Sequence, residues 1–268
     1  MEQLLQTHGK KEDMIMFFYR IGIDVFVGLT TAVFLSFVIL YCLYPEELHD
    51  YHILVLFLGL SSSNIGAIRS IVTLEITIER NLAAYTPIFF HNFRKLIPTG
   101  LVLVLAISFG LFEDIVLFGI CDYTLNISDN CVALGCAVNS CFFVFWTTHK
   151  SVVYALICLF CLFLCVKLFI MDKMGPNRST GLSRVNRLAL IDVGNILIFD
   201  FMSSLLSRQF QDSPFFSYKD VGPYTAVTKI VGISIESYLV FRTLSQKKGM
   251  VSTRESSVRT ARRGMISR

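Results

Sequence analysis

Charge is what this chain has least of. Only 16% of its 268 residues are Asp, Glu, Lys or Arg, whereas a soluble globular domain carries about 25%. The charges are also clumped, and no polar block is long enough to form a separate soluble domain. A cleavable leader is not expected in the first apolar run either: that run, near Met14 to Tyr44, exceeds the roughly 7–15 residues of a signal-peptide core and has no small-residue cleavage site, so it reads as a retained membrane helix. No H-E-x-x-H, G-x-S-x-G or P-loop spacing appears. The five histidines, His8, His49, His52, His91 and His149, are scattered over segments read as loops. The serines of "GLSSSN" have no histidine at matching depth. These gaps argue against an enzyme, and no cofactor, metal centre or nucleic-acid partner is expected. A carbonyl-filter sequence and a carrier-type internal repeat are absent as well.

Apolar residues are what the chain has most of, at 54%, with a mean hydropathy of +0.61. A helix crosses the hydrocarbon core with about 20 apolar residues. Six segments meet this length: about Ile21–Tyr44, Ile53–Ile78, Ile97–Ile120, Val152–Met171, Leu188–Leu206 and Pro223–Phe241. The expected fold is therefore an all-α membrane protein, a helical bundle of six transmembrane helices. Residues 1–20 form a cytoplasmic N-terminus, 21–243 the transmembrane domain, and 244–268 a basic, disordered cytoplasmic tail. Orientation follows from Lys and Arg in the connections. Lys10, Lys11 and Arg20 precede the first helix. Arg80, Arg94 and Lys95 follow the second, and Lys173, Arg178, Arg184 and Arg187 follow the fourth. The loops between carry few, and the long third loop, Cys121 to Lys150, carries only Lys150. This alternation places both termini inside.

Of the eight cysteines, Cys121, Cys131, Cys136 and Cys141 fall in or beside that outer loop, where an oxidising compartment permits disulfides. Cys121–Cys131 is the first expectation, although four cysteines allow three pairings and spacing does not choose among them. Cys158 and Cys161 read as small hydrophobes on a lipid-embedded helix rather than as metal ligands. Asn126-Ile-Ser is a glycosylation acceptor pattern on the outer loop. Ionisable residues at membrane depth face protein or water. Asp24, Arg69, Asp192 and Lys229 are singled out as packing or ligand residues. Arg69 stands among small residues in "SSSNIGAIRSIVTLE", and an ion pair with Asp24 or Asp192 is expected. Asp114 and Lys167 are read as reaching headgroups.

The segment "ERNLAAYTPIFFHNFRK" resembles the second cytoplasmic loop of nematode serpentine chemoreceptors, most closely the BC class. "KKEDMIMFFYRIGIDVFVG" is similar to the first loop and second helix of that class, and "SYLVFRTL" to its last helix. Glu79-Arg80 resembles the acid–Arg pair that closes the third helix of seven-helix G-protein-coupled receptors. The resemblance implies a receptor for a small-molecule cue, a heterotrimeric G-protein partner, a plasma-membrane location in a sensory cell, and a latch at Glu79 and Arg80. It assigns Tyr85, Pro87, His91, Asn92 and Arg94 to the coupling loop. Counting back from Glu79-Arg80 leaves one helix where the family has two, so the chain is expected to lack the family's first helix. The Asn-Pro-x-x-Tyr pattern of rhodopsin-like last helices is absent. Two alternatives stay open: a six-helix transporter or channel subunit, and a non-signalling truncated receptor.

Overall fold

Long apolar segments with few helix breakers leave the backbone one inexpensive solution in lipid, the internally hydrogen-bonded α-helix. The computed structural model describes residues 2–94, 98–125, 127, 131–174, 194–210, 223–239 and 242, and there is no strand among them. Helix α1 runs Glu2–Leu43. A short turn, α2 (Pro45–Leu48), leads into α3, Ile53–Tyr85. Helix α4 is Pro87–Arg94, and α5 is Thr99–Ile115, prolonged by a π-helical turn at Val116–Ile120. The turn α6 (Leu134–Ala137) precedes α7, Ser140–Met174. A π-helical stretch Ile196–Phe201 continues into α8, Met202–Gln209. The last described helix, α9, spans 224–239.

Four stretches are long and apolar enough to cross a membrane: Phe18–Leu43, Ile53–Tyr85, Thr99–Ile120 and Ser140–Lys167. Ile196–Leu206 is a shorter apolar helix. Together with α9 these account for the six expected segments. Leu29, Ile39, Val104 and Leu162 are exposed large hydrophobics, as lipid-facing positions of a bundle should be. Helix α3 is the axis of the molecule and packs against α1, α5 and α7. It is also the most buried of the four spans, which explains why it tolerates Ser, Asn and Arg in its middle.

Small residues let the helices approach. At Gly110 in α5, an added Cβ would lie 2.6 Å from Ile68 Cγ1 and 2.8 Å from the Asn64 carbonyl oxygen on α3. At Gly232 in α9 it would lie 2.7 Å from Phe199 Cβ. Neither site admits a side chain without moving a helix.

The third connection differs from its reading as a long loop. Helix α7 begins at Ser140 rather than near Val152, so Lys150 and His149 are helical and inward, not loop residues. Asn139 sets this start. Its Oδ1 accepts the Phe142 N–H at 3.0 Å, satisfying a free donor of the first turn. Its Nδ2 donates to the Cys121 carbonyl at 2.9 Å. Asp122, at φ 43°, turns the chain back after α5; an Asp tolerates the left-handed region better than most residues. Within "YTPIFFHNFR", Tyr85 ends α3 and Pro87–Arg94 form the helix α4 rather than a loop. Pro87 opens it, where the missing N–H costs nothing.

Candidate functional site

Three polar clusters lie inside the bundle. The first is centred on Arg69 of α3, which is 4% exposed. Its Nε donates to Asp24 Oδ1 on α1 at 2.6 Å, its Nη1 to Asp200 Oδ2 at 3.4 Å, and its Nη2 to Glu236 Oε2 on α9 at 3.2 Å. Each guanidinium nitrogen thus holds a carboxylate from a different element, which the rigid fork of an arginine permits and a lysine would not. Arg20 of α1 also pairs with Glu236, and Asn195 Nδ2 donates to it at 3.1 Å. Tyr154 of α7 is buried beside Asp200. Charges at this depth survive only when paired and hydrogen-bonded, and here α1, α3, α9 and the stretch holding Asn195 and Asp200 meet in one network. The structure joins the expected partner Asp24 to Arg69, while Asp192 lies outside the described residues.

The second cluster surrounds Glu113 of α5, 1% exposed. Ser63 Oγ donates to Glu113 Oε2 at 2.5 Å. It in turn accepts from Trp146 Nε1 and from Lys150 Nζ, each at 2.7 Å. Lys150 Nζ lies 3.5 Å from Glu113 Oε1 and 4.4 Å from the centre of the Trp146 ring. His149 Nε2 is 3.0 Å from Glu113 Oε1 without hydrogen-bond alignment. Both lone pairs and the proton of Ser63 are engaged, so the hydroxyl serves as a hub. Sequence reasoning missed this cluster because Lys150 and His149 were placed in a loop. Their spacing from Trp146, three and four residues, is the helical signal that would have found them.

Beside this cluster, at the bundle end that carries the disulfides, lies a cavity of about 70 Å³. Val27, Thr31, Ser62, Trp146 and Lys229 are among the residues lining it, with Ala133, Leu134 and Gly135 of the third connection also in the wall. The connection is held there by two disulfides, Cys121–Cys141 and Cys131–Cys136. The expectation of a Cys121–Cys131 bond is therefore corrected. Both cysteines are oxidised, but the turn after α5 sets Cys121 beside the first turn of α7, with 5.8 Å between the Cα atoms of Cys121 and Cys141. Cys131 closes a local loop instead. That loop packs inward through Cys131, Ala133 and Leu134 against Leu56, Leu60, Leu117 and Phe142. Tyr123 braces it by donating its hydroxyl to the Ala137 carbonyl, and burial pushes the phenol above its ordinary pKa. Asn126 lies outside the described residues.

The third cluster is at the opposite end of α3. Glu79 and Arg80 are half-buried there, and neither is without a partner. Asn81 Nδ2 donates to the Phe160 carbonyl at 2.8 Å, and the Tyr85 hydroxyl to the Phe163 carbonyl at 3.0 Å. Lys167 sits over the Tyr85 ring at 5.2 Å rather than only reaching outward. A groove of about 440 Å³ opens beside these residues, lined by Asn81, Tyr85, Phe160 and Phe163. Asn92 is exposed on α4. His91 and Arg94 are in the same helix, with side chains outside the description. Asp114 accepts from Asn64 Nδ2 at 2.9 Å, a helix–helix bond rather than a headgroup contact. Among the described residues no group of three or more His, Cys, Asp or Glu is placed to hold a metal ion.

A bundle with four helices long and apolar enough to cross a membrane, packed around a paired ionic core, defines a multi-pass membrane protein. The family model for the serpentine type 7TM GPCR chemoreceptor Srbc matches residues 2–248. The chain belongs to that family, a nematode serpentine receptor family. No curated protein and no solved structure matches it.

Proposed function

We propose that the chain is a chemosensory G-protein-coupled receptor of the plasma membrane of a sensory cell. It takes a small molecule into the cavity at the disulfide end and signals from the Glu79–Arg80 end. The observation that carries this reading is the cavity itself, roofed by an oxidised connection and walled by α1, α3, α7 and α9. Disulfides form in oxidising compartments, which supports an outward-facing cavity. The Lys and Arg clusters after α3 and α7 support an inward-facing opposite end.

A route runs from the cavity to the ionic core of the bundle. Lys229 in the cavity wall lies over the Tyr154 ring at 5.5 Å, Tyr154 is buried beside Asp200, and Asp200 pairs with Arg69, which α3 connects to Arg80. A ligand that favours one arrangement of this network shifts a two-state bundle by its differential affinity for the two states. The readout is the groove beside Arg80, where a heterotrimeric G protein would dock against Tyr85 and α4. Arg80→Ala, expressed at the wild-type surface level, should lower the maximal ligand response by about tenfold or more, as loss of a charge-assisted contact implies. An unchanged response would remove Arg80 from coupling.

A further inference from the structure

The cavity wall has an unusual charge content. Among the described residues it contains two lysines, Lys150 and Lys229, and no Asp or Glu. The nearest carboxylates lie behind the wall. Glu113 holds Lys150, which also donates to Ser63 and stacks on Trp146. Lys229 has no such anchor. Among the described residues it contacts the Tyr154 ring, and it feels Asp200, Glu113 and Arg69 only through space. Among the described residues no carboxylate pairs directly with this half-buried ammonium, an arrangement that is costly in a protein interior.

Other groups in the wall complete a recognition pattern. Thr31 Oγ1 and Ser62 Oγ are hydrogen-bonded to each other at 2.7 Å. That bond uses one of their two hydroxyl protons and leaves the other to donate. Ser63, already saturated, and Thr225 are further polar residues of the wall, and most of the remainder is apolar, through Val27, Phe34, Leu134 and Ala226. A water needs about 10–15 Å³ of such space, so a cavity of about 70 Å³ holds about five to seven water-sized positions.

From this we infer that the cavity is a site for a short-chain monocarboxylate of about five to seven non-hydrogen atoms, the size set by the water count. Its carboxylate accepts from Lys229 and from the Thr31–Ser62 pair, and its alkyl tail lies against Val27, Phe34 and Leu134. The inference names the ligand class of the cavity in the proposed receptor and rests on that reading. A dianion such as a phosphate fits less well, because among the described residues Lys229 alone of the wall's cations lacks a paired carboxylate, and most of the wall is apolar. The carboxylate also supplies the counter-charge that Lys229 lacks, placing ligand occupancy directly on the Lys229–Tyr154–Asp200 route.

The test uses the full chain in lipid nanodiscs, with butanoate as probe and binding read by saturation-transfer NMR and by the shift in Tm. Butanoate should bind and butanamide and butylamine should not. Octanoate should bind at least about tenfold more weakly, being too long for the space. Lys229→Gln should weaken butanoate by about tenfold or more, while Lys229→Arg retains most of the affinity. Thr31→Val should give a smaller loss, and the unliganded Tm of each variant reports that it is folded. Equal binding of butanamide, equal competition by chloride, or unchanged affinity in folded Lys229→Gln would each overturn the assignment. A cell-based response assay separates the two readings. A response to a neutral odorant but not to butanoate overturns the carboxylate site and leaves the receptor standing. Lys229-dependent butanoate binding with no G-protein response to it supports the site and counts against the receptor reading.

Discussion

At the scale of single residues, Arg69 is the position on which most depends. Its three nitrogens hold three carboxylates, so removing it leaves Asp24, Asp200 and Glu236 without their shared cation, while Arg20 still pairs with Glu236. Removing one partner of a buried ion pair costs about 3–5 kcal/mol because the remaining charge stays buried. Arg69→Met should therefore abolish folding or lower the Tm of the detergent-solubilised protein by more than ten degrees or so. Arg69→Lys should rescue only part of this, because a single ammonium cannot meet three carboxylates in a plane. Ser63→Ala tests the second cluster. It strands the Trp146 N–H and one Lys150 donor in the interior, at about 1–3 kcal/mol for each unsatisfied group. A thermal unfolding series with Thr30→Ala, whose hydroxyl bonds only its own helix backbone, supplies the comparison. Equal losses at Ser63 and Thr30 would refute the hub. Arg69 was legible because a charge among small residues in a long apolar run has to be buried and paired. That one arginine would gather Glu236 and Asp200 as well as Asp24 was not legible, since their separations of 167 and 131 residues are set by packing alone.

At the scale of elements, length and apolar content made the spans legible, and small residues marked the close contacts. Gly110 carries the sharpest consequence. A side chain there meets the Asn64 carbonyl, which belongs to a helix backbone and cannot rotate away. Gly110→Val should cost about 1–3 kcal/mol by overpacking and separate α5 from α3, weakening the Asn64–Asp114 bond with it. Gly28→Ala, where nothing lies within 4 Å, should leave the unfolding temperature unchanged. Equal behaviour of the two variants would mean that α3 and α5 are not in contact as described. The boundaries were less legible than the helices. The connection before α7 was read too long because its aromatic run "CFFVFWTTHK" ends in polar residues that resemble a loop. What extends the helix is Asn139, a cap recognisable only once the chain turns back at Asp122. The short α4 was likewise hidden, since Pro87 ends one helix and starts another, and local sequence alone does not separate those roles.

At the scale of the whole molecule, both disulfides, the plug and the cavity share one end, so in the proposed receptor oxidation and ligand access would be linked. The two bonds do different work. Cys121–Cys141 spans 20 residues and fastens the end of α5 to the start of α7, whereas Cys131–Cys136 spans 5 and shapes only the plug. Chain entropy scales with loop length, giving about 3 kcal/mol for the longer closure and about 2 kcal/mol for the shorter. Removing the long bridge with Cys121→Ser/Cys141→Ser should thus lower the unfolding temperature more than Cys131→Ser/Cys136→Ser does. Function should show the opposite order. Ala133, Leu134 and Gly135, all inside the short loop, line the cavity, and their packing against Gly59, with Leu134 Cβ 3.1 Å from a Cβ built there, leaves little slack. Opening the short loop frees the plug, so ligand should leave faster and bind more weakly while the bundle remains assembled. Opening the long bridge leaves the plug closed by its own bond and held by Tyr123 and Leu134, so the change in affinity should be the smaller one. Paired measurements of Tm and ligand dissociation on the two double variants distinguish these outcomes. If both variants lose stability and affinity in the same proportion, the plug is merely part of the scaffold and has no separate hold on the cavity.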